Sequence, residues 1–202
     1  MAMSEVVFSP GDLAALTEVV AGAWRLGADR DWSVPAGTLE WSCTQTADHA
    51  VDTLLAPAFN LASRLEDRGV SMHWGIFTMG PDATPERLVE GLETASRILC
   101  SVVIAAEPGA RAFIKSRPRP QSAPAADFVP RGGLELILHA HDVCAGLRVP
   151  FEPPADVVER LREHVRALAG RLGSALEARL TSCDDAWGDL LEASGRSRYT
   201  PA

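Results

Sequence analysis

One stretch restricts the fold of this chain more than any other, the run Arg131–Asp142, which sets a glutamate and a histidine among apolar residues. Glu135 and His139 are four residues apart, so on a helix both side chains lie on one face, one turn apart. The residues around this pair are apolar almost all round the helix, which is typical of a buried helix: Leu134, Leu136, Ile137 and Leu138. The stretch therefore predicts a buried helix, about Pro130–Gly146, with Gly146 as its C-terminal stop.

A buried carboxylate and imidazole need a strong partner, and a metal ion is one. A Glu/His pair at this spacing also occurs often as an exposed helix pair, but the apolar flanks favour the metal. His49, on another predicted helix, is the natural third ligand, because bundle metal sites are built from facing helices. Two histidines and one carboxylate leave open positions on Zn²⁺, as catalytic sites do. Asp142 shares the face of Glu135 and could orient a ligating histidine from outside the ligand set.

Helical spacing of apolar residues predicts five further helices. Three have capping signals at their starts, from Ser9, from Ser42 with Gln45, and from Thr84 before Pro85. The predicted ranges are about 10–27, 43–67, 84–106, 155–172 and 185–196. No strand-type alternation persists, so we expect one all-α domain over residues 1–202, a four-helix bundle with extra C-terminal helices. A mixed loop over residues 69–83 could cover a pocket.

Composition narrows the class of protein. The net charge is −8 with no basic block, which argues against nucleic-acid binding. No segment reaches transmembrane length and no basic, apolar leader is present, so we expect a cytoplasmic protein away from membranes. The four cysteines contain no Cys-x-x-Cys pair, and Cys43 and Cys144 are expected to be buried small hydrophobes. His141 is expected to be structural or at the rim of the site, and His164 to be solvated.

The stretch 109–130 is expected to be a long loop. Arg111, Lys115, Arg117 and Arg119 concentrate positive charge there, within an acidic chain. A loop of this length is usually functional or mobile. It is either a solvated surface loop or a basic lid that meets an anionic substrate or cofactor, and in the second case Arg111 and Arg117 are the candidate contacts.

Three sequence motifs carry a resemblance to a known family. The segments Trp41–His49 and Glu135–Asp142 resemble two signatures of the DinB-like, mycothiol-dependent maleylpyruvate isomerase N-terminal-type family. The ending Trp187–Arg196 resembles the close of its actinobacterial members. The resemblance implies a DinB-like four-helix bundle with one divalent metal, Zn or Ni. It also implies that His49, Glu135 and His139 are the ligands.

Activities in that family depend on thiols, so the resemblance predicts an S-transferase that joins a low-molecular-weight thiol, such as mycothiol, to an electrophilic small molecule. The full isomerase has an extra α/β domain, whereas the residues after Pro150 here read as helix. Maleylpyruvate itself is therefore a poor guess for the substrate. Two alternatives stay open, namely a thiol-independent metal-dependent isomerase, hydrolase or cyclase, and a non-enzymatic binding or regulatory protein. A homodimer through a helix face is compatible with the resemblance, and no apolar stripe decides the point.

Overall fold

Three helices begin at a hydroxyl residue that caps them, as the sequence predicts. The computed structural model describes residues 8–63, 77–114, 121–172, 179–180 and 185–199. In it, the side chains of Ser9, Ser42 and Thr84 each accept a hydrogen bond from the backbone N–H of the residue three positions later. Each bond satisfies a donor that the first helical turn leaves unpaired. The helices are α1 (Pro10–Leu26), α2 (Cys43–Ala62) and α3 (Pro85–Ile104).

The stretch 109–130, expected to be a loop, contains a small sheet, so that prediction is wrong. β1 (Arg111–Ile114) pairs antiparallel with β2 (Gln121–Pro124), the first residue of β1 lying opposite the last of β2. Ala112 and Ile114 are buried on one side of β1, which packs on α2. An alternation over four residues is too short to be distinguished from a polar loop by pattern alone, and proline is uncommon in strands.

Three more helices follow the sheet and a short 3₁₀ turn, Ala125–Asp127. They are α4 (Phe128–Leu147), α5 (Ala155–Leu172) and α6 (Ala186–Ala193). The bounds of α5 match the prediction. α2 ends at Ala62, earlier than the predicted residue 67, and α6 is shorter than the predicted range 185–196.

Helices α1 to α4 pack around a common core. α1 and α2 each contact both α3 and α4, and α5 packs against α4 and α6. The described part of the chain is therefore mostly helical, as predicted, apart from the small sheet. No helix within the described residues combines the length and apolar character needed to cross a membrane. The largest fully buried side chains include Trp24, Phe8, Phe128, Leu54 and Ile137.

α2 and α4 run antiparallel and approach closely at one end. A Cβ on Gly146 would lie 2.4 Å from the carbonyl oxygen of Pro35 and 2.6 Å from Sγ of Cys43. Gly146 therefore lies inside α4 as a point of close contact, and the prediction that it stops the helix is wrong. The C-cap is Arg148, which adopts a left-handed conformation with φ of 56°. This packing brings the middle of α2, with His49, alongside the middle of α4.

Candidate metal centre

Glu135 and His139 lie together on α4, as their spacing predicts. Oε2 of Glu135 is 3.6 Å from Nε2 of His139, which is longer than a hydrogen bond. Two donors at about 2.0–2.1 Å from a tetrahedral ion are separated by about 3.4 Å. The two side chains thus lie at a separation that one ion could bridge.

His49 comes to this pair from the facing helix. The centre of its ring is 5.0 Å from that of His139, and the ring planes meet at 77°. On its other side, the centre of its ring is 5.1 Å from that of Trp41. The three predicted ligands therefore meet, and all three line one pocket of about 410 Å³. The lining residues are Leu39, Glu40, Trp41, His49, Glu135 and His139.

A ready-formed ligand set is absent from the described residues. No group of three or more His, Cys, Asp or Glu side chains in them has the arrangement of a metal site. The ring of His49 meets that of His139 edge to face, with the ring centres 5.0 Å apart. The chemistry of the donors fits a divalent cation such as Zn²⁺. The surroundings of His139 also fit, because its buried Nδ1 lies 3.7 Å from the carboxylate of Asp142, and a carboxylate on that side commonly orients a ligating histidine.

Opposing effects act on the pKa values of the pair. Burial acts to raise the pKa of Glu135, but contact with His139 and the positive charge of Arg131 outweigh it and lower that pKa to about 2. Burial acts to lower the pKa of His139, but Asp142 and Glu135 outweigh it and raise that pKa to about 8. Both shifts favour the charged forms, a carboxylate beside an imidazolium, in a site with open space beside it.

Asp142 occupies the position expected of a residue that orients His139. Its Oδ2 is 3.7 Å from Nδ1 of His139, and its side chain is buried. That nitrogen is buried too and forms no hydrogen bond with the described residues. Asp142 is held by Arg196, whose Nε and Nη2 donate to the two carboxylate oxygens at 2.9 and 2.6 Å. Sequence reasoning missed Arg196 as a partner, although it ends the third motif.

An arginine that the sequence did not single out contacts one of the candidate ligands. Nη2 of Arg131 is 3.3 Å from Oε1 of Glu135, and both residues line a small cavity of about 40 Å³ beside the main pocket. Arg111 instead donates to Ser122 across the sheet and lines a separate cavity of about 440 Å³. Arg117 lies outside the described residues. The basic lid therefore stays a prediction.

The two other described histidines lie in the interior. His141 is buried between Trp187 and Tyr199, with ring centres 5.7 and 5.2 Å away, in agreement with a structural role. His164 was expected to be solvated, which is wrong, since only 8% of it is exposed and its Nε2 is 3.4 Å from Asp127. Its helix carries many charges, and that pattern did not reveal which face meets the core.

The described end of the 69–83 loop is tied to α2 close to His49. Asp48 accepts hydrogen bonds from Oγ1 of Thr78 and from the backbone N–H of Met79, at 2.8 and 2.6 Å. Asp52 accepts one from the backbone N–H of Phe77. Two acidic side chains of α2 therefore hold this segment in place. Residues 69–76 lie outside the described part of the chain, so their predicted cover of the pocket stays a prediction.

The described cysteines behave as predicted. Cys43, Cys100 and Cys144 are free thiols, and Cys43 and Cys144 are buried. Burial raises the pKa of Cys43 to about 12 and raises that of Cys144 as well.

Comparison of the chain with models of protein families, with curated proteins and with solved structures finds no match.

Proposed function

We propose that this chain is a divalent-metal-dependent S-transferase of DinB-like fold, which joins a low-molecular-weight thiol, such as mycothiol, to an electrophilic small molecule. The observation that carries the proposal is the meeting of His49, Glu135 and His139 in the wall of one open pocket. These three side chains would hold the ion, Zn²⁺ or Ni²⁺. When bound, such an ion acts as a Lewis acid that lowers the pKa of a thiol or a water.

Other residues near the ion would orient its ligands and bind the electrophile. Asp142 lies 3.7 Å from Nδ1 of His139 and Glu135 lies 3.6 Å from its Nε2, so Asp142 would orient the ring and leave Nε2 for the ion. Trp41 and Leu39 supply apolar surface on the other side, against which the electrophile would pack. The pocket volume of about 410 Å³ is within the range of small-molecule sites.

The source of the thiol follows from the described cysteines. A reactive cysteine must be partly exposed and ionised near neutral pH, whereas burial keeps Cys43 and Cys144 as unreactive thiols. Neither of them lines the pocket. Cys100 is half-buried, has a pKa raised by burial and does not line the pocket either, so in this proposal the sulfur nucleophile comes from a small thiol. In the transfer, that thiol loses its proton to solvent, its sulfur bonds to the electrophilic carbon, and the leaving group departs with the electrons of the bond that breaks.

Metal binding is tested first, by elemental mass spectrometry and calorimetric titration with Zn²⁺ and with Ni²⁺. We expect about one ion per chain in the wild type and at least a 100-fold loss of affinity in Glu135→Gln and in His49→Ala. Glu93→Gln is the matched control, because Glu93 forms a surface ion pair with Arg25, away from the pocket. A wild type that binds neither ion would overturn the proposal and favour a non-enzymatic binding protein.

Conjugation is tested next, with mycothiol and other small thiols against 1-chloro-2,4-dinitrobenzene, an electrophile that releases chloride. The metal-loaded wild type and Glu93→Gln should form the thioether at similar rates, and Glu135→Gln should not exceed the uncatalysed rate. Metal binding without conjugation of any electrophile tried would contradict the transferase proposal. A thiol-independent activity that requires Glu135 would support a metal-dependent hydrolase, isomerase or cyclase instead.

A further inference from the structure

The most tightly held carboxylate beside the candidate metal centre is Asp142. Arg196 donates two hydrogen bonds of 2.9 and 2.6 Å, one to each of its oxygens, although the residues are 54 positions apart in the chain. Asp142 is 2% exposed, and the side chain of Arg196 is 17% exposed. A bidentate pair of this kind fixes the plane of the carboxylate as well as its charge.

Each oxygen of Asp142 is shared between Arg196 and one histidine. Oδ2 accepts from Nη2 of Arg196 and lies 3.7 Å from Nδ1 of His139. Oδ1 accepts from Nε of Arg196 and lies 3.7 Å from Nδ1 of His141. A rotation of the carboxylate would therefore change its position relative to both rings at once. The guanidinium opposes that rotation.

The segment that carries Arg196 is itself fixed to the body of the protein. The backbone N–H of Arg196 donates to the carbonyl of Leu191 at 2.7 Å, which closes the end of α6. Trp187 and Tyr199, on either side of Arg196 in sequence, both contact the ring of His141. The backbone of Arg196 is thus fixed, and residues on either side of it in sequence are packed, as a positioning contact requires.

We propose that Arg196 is a positioning residue of the metal centre, which fixes Asp142 so that its carboxylate sets the ring orientation of His139 and presents Nε2 to the pocket. The inference rests on the proposed function, because it assigns His139 as a ligand. It adds a role for the C-terminal segment, which supplies no ligand itself. Carboxylates that orient a ligating histidine commonly affect metal affinity by 10- to 100-fold.

The first test compares Zn²⁺ affinity, measured by chelator competition, in wild type, Arg196→Gln, Arg196→Lys and Arg198→Gln. Arg198 is a close control, since it also donates to both oxygens of an aspartate, Asp185, but at the exposed surface. We expect Arg196→Gln to bind Zn²⁺ about 10- to 100-fold more weakly and Arg196→Lys to recover part of the loss. Arg198→Gln should stay within about twofold of the wild type. Equal affinities in Arg196→Gln and Arg198→Gln would overturn the inference.

A double-mutant cycle tests whether Arg196 acts through Asp142. If it does, Asp142→Asn and the double variant Asp142→Asn/Arg196→Gln should lose the same affinity, because the second change has nothing left to remove. The double variant also avoids a buried unpaired carboxylate, so it remains usable if Arg196→Gln fails to fold. Additive losses would show that Arg196 does not act through Asp142.

A readout without metal separates this inference from the proposed function. In metal-free protein, ring carbon and proton NMR signals of His139 should show one ordered environment in wild type and in Arg198→Gln. In Arg196→Gln they should shift and broaden. If the wild type binds no metal, the proposed function fails, and unchanged His139 signals in Arg196→Gln would show separately that Arg196 does not position the ring.

Discussion

The two halves of α4 hold their carboxylates in opposite ways. In the first half, Glu135 is 3.3 Å from Arg131 and 3.6 Å from His139, at the edge of an open pocket. In the second half, the buried carboxylate of Asp142 accepts two hydrogen bonds from Arg196. The two carboxylates lie two turns apart on one helix. We call the part of α4 around Glu135 its open half, and the part around Asp142 and Gly146 its closed half.

This difference indicates what each half does. A buried carboxylate with two short bonds has its charge satisfied within the protein, so it fixes structure. A carboxylate with longer contacts and open space beside it can accept a cation from solution. We therefore expect changes around Glu135 to alter binding directly, and changes around Asp142 and Gly146 to alter stability, with any effect of Asp142 on binding passing through His139. The predictions below test that division, from the largest expected effect to the smallest.

Gly146→Ala should be the most damaging change in the closed half. Its Cβ would meet the Pro35 carbonyl oxygen at 2.4 Å, and backbone cannot move aside cheaply. We expect the free energy of unfolding to fall by about 3 kcal/mol, measured by urea denaturation. Gly22→Ala in α1 is the matched control, because nothing lies within 4 Å of its Cβ, and it should stabilise by about 0.5–1 kcal/mol. Equal effects of the two would contradict the close contact of α4 with residues 35–43.

Zinc should stabilise the protein by binding beside Glu135, in the open half of α4. At a free concentration about 100 times Kd, a ligand that binds only the native state adds about 2.7 kcal/mol, which raises Tm by about 5–10 °C for a chain of this length. Differential scanning calorimetry should show this shift in the wild type, and a chelator should reverse it. Glu135→Gln should show no shift. A shift that survives Glu135→Gln would place the zinc elsewhere.

The thiols next to the closed half should be inert in the folded protein. Burial raises the pKa of Cys43 to about 12, so at pH 8 almost none of it is thiolate, the form that reacts. We expect iodoacetamide to modify Cys43 and Cys144 at least about 30-fold more slowly in folded protein than in urea. Peptide mass spectrometry would follow each site, with the half-buried Cys100 as internal comparison. Rapid labelling of Cys43 in folded protein would show that this end of α4 opens to solvent.

Arg148→Gly should have the smallest effect. Arg148 ends α4 in a left-handed conformation that side chains disfavour and glycine adopts freely. Because the residue is exposed, little packing is lost on its removal. We expect a gain of up to about 1 kcal/mol in the free energy of unfolding, with Zn²⁺ affinity unchanged. A loss of stability would show that the arginine side chain contributes more than its backbone conformation costs.

Much of the fold could be predicted because its signals act over a few residues. The caps at Ser9, Ser42 and Thr84 bond to backbone three positions away, and the apolar spacing of α5 predicts its bounds. The meeting of Glu135 and His139 is local in the same sense, since one helical turn brings them together. The meeting of His49 with this pair followed from the expectation of facing helices.

Two of the errors come from contacts between residues far apart in the chain, and the third from a local strand pair whose alternation is too short to detect. The β1–β2 pairing contradicted the expected loop, the burial of His164 against Asp127 contradicted its expected exposure, and the close contact at Gly146 replaced its expected role as a stop. The two distant contacts have no periodic signature, because each depends on which surfaces meet after the helices form.

The sequence by itself therefore determined the helices, their caps and the donor chemistry of the candidate site, since helical geometry relates residues within a turn or two. Only the tertiary structure decided that the carboxylate of Asp142 is hydrogen-bonded in the interior and that of Glu135 borders a pocket. It brought Arg196 to Asp142 across 54 residues and held Arg111 on Ser122 in the sheet, whereas Arg131 lies one helical turn from Glu135 and is placed there by the helix itself. Whether a buried charge is satisfied depends on the packing of whole elements, and no local pattern encodes it.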